Sequence, residues 1–151
     1  MQGAVTLKNI LTLLFTIIVL TACSNEKIHY DYIFNGEGEY WKAEYSFSGT
    51  EIWGKKDGTI TYSNENNKEF ILTYKGSLEE ISTMKTLEYS YKTSAGGGSS
   101  KMEFDEPPTQ VTFKSGGRTG NGAKVNEDEV IQVNVKWDDY EESFELHNKR
   151  K

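Results

Sequence analysis

Cysteine, proline and histidine are nearly absent: the 151 residues include one Cys, two Pro and two His. A lone cysteine excludes an intramolecular disulfide and any Cys-x-x-Cys metal or redox site. No His-Glu-x-x-His or Gly-x-Ser-x-Gly pattern occurs, which removes the familiar zinc-protease and serine-hydrolase arrangements. Basic charge is also scarce. Seventeen Lys and Arg stand against 23 Asp and Glu, a net charge of -6, with no dense cationic patch to neutralise phosphates, so nucleic acid is not an expected partner. Apolar residues nowhere run for the roughly 20 positions of a comfortable membrane span. What is present is a 13% aromatic and 36% apolar composition, enough for one domain with a real core.

The N-terminus reads as an address. Lys8 precedes the apolar run Ile10 to Leu20, the layout of a secretory signal. Leu20-Thr21-Ala22-Cys23 follows directly. This segment resembles the lipobox of bacterial lipoproteins, in which an apolar residue and two small ones precede an invariant cysteine. The resemblance implies that the Cys23 thiolate receives a diacylglyceryl group through a thioether, that a peptidase cuts between Ala22 and Cys23, and that acyl chains such as palmitate anchor the mature protein. The other readings are an uncleaved anchor helix over Asn9 to Asn25 and an ordinary buried thiol at Cys23. Two acyl chains, at about 0.8 kcal/mol per buried methylene, hold far more durably than one.

Removing residues 1–22 takes away Lys8 and leaves 16 basic against 23 acidic side chains, or -7. Anionic headgroups repel such a domain, so the acyl anchor rather than the protein surface is expected to supply attachment. The expected organisation is a signal peptide over 1–22, a lipidated N-terminus and tether over 23–27, one domain over 28–148 and a basic tail over 149–151. A tether of four residues reaches about 14 Å at most, which keeps any partner near the membrane.

From Ile28 onward, alternation at period two predicts short strands broken by Gly, Asn, Asp and Ser. Tyr40 to Phe47 places Trp41, Ala43, Tyr45 and Phe47 on one face. Further strands are expected at Thr50 to Trp53, Thr59 to Ser63 and Glu69 to Lys75, with turns at Lys55-Lys56-Asp57-Gly58 and Asn64-Glu65-Asn66-Asn67. Ser77 and Glu80 have capping-box spacing, and Leu78 and Ile81 would share a face, but one turn suits a crossover better than a helix. Ala95 to Ser100 and Gly116 to Gly122 read as flexible loops. The last hairpin joins Val130 to Trp137 with Ser143 to Leu146 through Asp138-Asp139-Tyr140. Eight or nine strands without a substantial helix predict an all-β, antiparallel β-sandwich of immunoglobulin-like type, with a small β-barrel as the alternative. Without a disulfide, Trp41, Trp53 and Trp137 are expected to pin the layers.

Asn35 to Tyr45 and Val133 to Leu146 resemble segments of small lipoproteins of Gram-positive bacteria. The resemblance implies a fold and a location on the extracytoplasmic face of the cell membrane, and no transferable site motif.

Candidate chemistry is thin. His29 and His147 would meet if the first and last strands paired, and with a carboxylate could hold a metal. Acidic clusters at Asp105-Glu106, Glu127-Asp128-Glu129, Asp138-Asp139 and Glu141-Glu142 are weak calcium candidates. Gly116 to Gly122 lacks the lysine and following helix of a phosphate loop. Arg118 and Tyr140 are the first binding residues to test, since both types are frequent hot spots. The expected function is a non-catalytic binding or accessory module contacting a protein or envelope component, with no cofactor. A divalent-cation-dependent module or hydrolase, and a structural envelope spacer, are the alternatives.

Overall fold

A computed structural model describes residues 25–150, so the signal region, Cys23 and the last residue of the basic tail lie outside the described residues. Eight strands follow in chain order: β1 (Glu26–Glu37), β2 (Trp41–Lys56), β3 (Thr59–Tyr74), β4 (Thr86–Thr93), β5 (Gly96–Glu103), β6 (Thr112–Gly120), β7 (Ile131–Trp137) and β8 (Tyr140–Asn148). No helix occurs among the described residues. All pairings are antiparallel, in the order β5-β4-β7-β8-β1-β2-β3-β6, and the sheet curls until it is nearly closed into a barrel. The all-β, antiparallel expectation is met.

Two four-stranded halves meet at a corner where β1 and β8 share only Phe34↔Asn148 and Asn35↔His147. Alternate residues share a face, and the inward set is strongly aromatic. Phe70 of β3 stacks on Tyr91 of β4 at 4.5 Å and on Tyr89 at 5.4 Å, and Tyr45 meets Tyr91 at 5.2 Å. These ring pairs join one half to the other, each contributing about 0.5–1.5 kcal/mol beyond its buried area. One end is closed by Trp41 against Tyr74 and Trp137, the other by the loop after β6, whose Val125 is fully buried. The seam lies between edge strands β5 and β6, bridged near one end by Phe104 and Phe113 at 6.2 Å.

Several local expectations are corrected. Thr50 to Trp53 is continuous with the strand before it, and Asn64 to Asn67 is strand rather than turn. The result is a hairpin of two 16-residue strands joined at Asp57-Gly58, both with positive φ, the geometry of a two-residue hairpin turn. Asn64 and Asn66 are buried because the loop after β6 supplies partners: the Asn64 amide donates to the Gly122 carbonyl at 2.9 Å and Asn66 to Ala123 at 3.3 Å. The Tyr30 hydroxyl donates to Asn66 Oδ1. Both glycine-rich segments are largely edge strands, Gly96 to Ser100 along β4 and Gly116 to Gly120 along β3. Ser77 and Glu80 make the reciprocal contacts of a capping box, the Ser77 N–H donating to Glu80 Oε1 at 3.2 Å and the Glu80 N–H to the Ser77 hydroxyl at 3.4 Å, within a run of turns between β3 and β4. Ile81 is buried there while Leu78 is exposed, so they do not share one packed face. Glu26 and Lys27, assigned to the tether by sequence, belong to β1 because β2 is long enough to pair with them.

Candidate functional site

The acidic candidates are dispersed. Asp138 occupies the β7–β8 turn, where its Oδ1 accepts from the backbone N–H groups of Lys85 and Thr86 at 2.9 and 3.0 Å. Glu129 accepts from the Ser94 N–H and, at 2.6 Å, from the Ser94 hydroxyl. Thr86 and Ser94 mark opposite ends of β4, eight residues and about 25 Å apart at strand rise. Asp138 and Glu129 therefore fasten different loops and do not converge. Glu142 works likewise, accepting from the Tyr40 N–H at 2.9 Å and tying the β1–β2 turn to β8. Asp105 and Glu106 are exposed between β5 and β6, Glu127 and Asp128 are exposed in the loop before β7, and Asp139 is exposed in the last turn. Among the described residues no three His, Cys, Asp or Glu side chains gather as a metal site would require.

The histidine pairing fails for a reason of register. β1 and β8 do pair, but His147 lies opposite Asn35 whereas His29 lies opposite Thr50, with its Nδ1 2.8 Å from the Thr50 hydroxyl. Six strand residues separate Asn35 from His29, about 20 Å.

Arg118 and Tyr140 are both exposed but do not share a surface. Arg118 is on the outer face of β6 opposite Asn67, at an open depression of about 430 Å³ that Ser48, Thr50 and Glu65 also line. A second open depression, about 550 Å³, lies on the same outer face and is lined by Asn35, Glu44, Ile71 and Thr73. Tyr140 is at the barrel end formed by the β7–β8 turn, stacked on Trp137 at 5.6 Å, with Tyr40 on the same indole.

No family model, curated protein or solved structure matches this chain.

Sequence reasoning missed the most distinctive surface. The β2–β3 hairpin outruns the barrel, and with the first residues of β1 it forms a three-stranded arm. Trp53 and Tyr62, paired across the hairpin with ring centroids 4.6 Å apart, are exposed there together with Ile28 and Ile60. The signal in the sequence is parity alone: Trp53 and Tyr62 fall in step with Phe47 and Phe70, but Gly49 and Glu51 on one strand and Asn64, Asn66 and Lys68 on the other interrupt the apolar series between them.

Proposed function

We propose that this protein is a membrane-anchored extracytoplasmic lipoprotein whose single β domain serves as a non-catalytic binding or accessory module at the cell surface. The observation that carries the reading is Leu20-Thr21-Ala22-Cys23: the chain's only cysteine stands at a lipobox position directly after an apolar run and three residues before β1 begins at Glu26. Cleavage before Cys23 then leaves Ser24 and Asn25 as the whole tether. A folded domain that close to its anchor is confined to the bilayer surface, and its partner is an envelope component or a membrane-proximal protein. The non-catalytic character is supported by the use made of the acidic side chains, since Glu129, Asp138 and Glu142 are spent on backbone N–H groups of loops. The likeness to small lipoproteins of Gram-positive bacteria supports the same location.

The finer architecture reads better as the small barrel than as the immunoglobulin-like sandwich. Its support is the single continuous strand order through a hydrogen-bonded β1–β8 corner, where two separate sheets would leave a gap.

Labelling of producing cells with a clickable palmitate analogue tests the anchor. The wild-type chain is expected to take up label and to lose residues 1–22, and Cys23→Ala to remain unlabelled at precursor mass. A labelled, fully processed Cys23→Ala protein would sink the assignment.

A further inference from the structure

We infer that the aromatic face of the arm docks on the lipid bilayer and sets the orientation of the barrel above it. The register fixes which side chains form this face. Trp53 lies between Glu26 and Tyr62, Lys55 is opposite Ile60, and Ile28 is two positions from Tyr30. Partners directly across a sheet share a face, as do alternate residues along a strand, so Ile28, Trp53, Ile60 and Tyr62 continue the row of Tyr30, Phe47 and Phe70. In the barrel that row is covered. The loop after β6 ends the cover: Val125 is buried, and Lys124 reaches over the Tyr30 ring at 4.3 Å and to Glu51 at 3.5 Å. Past Lys124 the four apolar side chains have no covering segment among the described residues, and Ile60 is 72% and Trp53 41% exposed.

The position of the preceding chain argues for the bilayer as occupant. β1 runs from the arm into the barrel, and Asn25 lies beside Gly54 and Thr61 of the hairpin, so the upstream residues join the molecule at this arm. Cys23 is three residues before Glu26, which pairs with Trp53; three residues span at most about 10 Å. A lipid on Cys23 therefore brings this face to the headgroups, and to that extent the inference rests on the anchor proposed above. The chemistry agrees. Trp and Tyr place an apolar ring and a polar tip at the membrane–water boundary. Lys27, Lys55 and Lys56 are exposed on the same arm against Glu26 and Asp57, a local excess of positive charge in an acidic domain that favours anionic headgroups at close range. With the arm down, the end carrying Tyr40, Trp137 and Tyr140 points away from the membrane.

Tryptophan quenching in reconstituted vesicles tests this, because Trp53 is the exposed member of the chain's three tryptophans. The lipidated full chain is placed in phosphatidylcholine–phosphatidylglycerol vesicles with plain or brominated acyl chains. Bromine is expected to quench the wild type, to leave Trp53→Phe unchanged, and to quench Ile60→Asp less than half as strongly although that variant stays vesicle-bound through Cys23. Equal wild-type emission in both vesicle types, with the lipid on Cys23 verified by mass, overturns the docking and leaves the anchor intact. An emission change that follows protein density and ignores bromine identifies a second copy as occupant and also overturns it. If the mass shows no lipid, the anchor reading fails by itself, and flotation with quenching of the same unlipidated chain decides the arm: bromine-dependent quenching upholds the docking and its absence ends it.

Discussion

Trp41 and Trp53 have the same parity on the same strand, and their surroundings differ completely. Trp41 is fully buried, with Tyr74 at 5.2 Å and Trp137 at 5.8 Å, whereas Trp53 touches chiefly Tyr62. Replacing Trp41 by Ala is expected to cost about 3–5 kcal/mol through lost transfer energy and an unfilled cavity. Trp53→Ala loses one exposed aromatic pair and is expected to cost about 1 kcal/mol or less. Urea unfolding followed by circular dichroism separates the two, and similar losses for both would contradict the assigned environments. Alternation in the sequence correctly gives the face of each tryptophan. It does not reveal how far along the strand the covering layer extends, which is why all three tryptophans read as core and only Trp41 and Trp137 are buried.

Elements were least legible where local turn propensity competes with long-range pairing. Gly96 to Ser100 and Gly116 to Gly120 have loop composition, yet each of these residues has a cross-strand partner in β4 or β3, and the ladder hydrogen bonds along that one side outweigh the entropy cost of ordering glycine. At Gly98 the missing side chain is required. A Cβ there would fall 2.6 Å from atoms of the Tyr91 ring, and that ring is held by Phe70 and Tyr45. Gly98→Ala is accordingly expected to destabilise by about 1–3 kcal/mol, the usual range for overpacking, while Gly117→Ala, which has open space at its Cβ, stays within about 1 kcal/mol. A thermal-shift comparison checks this, and a Gly98→Ala melting point at or above that of Gly117→Ala counts against the packing described. The Asn64 to Asn67 segment follows the same logic: turn-prone residues become strand because Gly122 and Ala123 carbonyls satisfy the buried amides.

At the scale of the whole molecule, a core rich in tyrosine couples folding to alkaline pH. Burial raises the phenol pKa of Tyr45 and Tyr91 above the ordinary value of 10.0, and burial with nearby charge does the same for Tyr30 and Tyr74. The folded chain thus keeps protons that the unfolded chain releases. Stability from these groups is complete below about pH 10 and declines as pH rises above it. Melting temperatures measured from pH 8 to 11 are expected to be level at first and then fall, with a shallower fall for Tyr91→Phe; a level profile to pH 11 would contradict the burial of these phenols. The sequence alone determined the strand-forming alternation, the closing hairpin, the absence of a disulfide and the candidate lipobox, because period-two patterning, turn dipeptides and a four-residue motif are local in the chain. Tertiary structure decided what depends on register and reach. It put His29 and His147 about 20 Å apart along β1, assigned the carboxylates to separate loops, merged short strands into a long hairpin and left Trp53 beyond the core. Each follows from which backbone groups find partners across distant segments, and neighbouring residues carry no record of that.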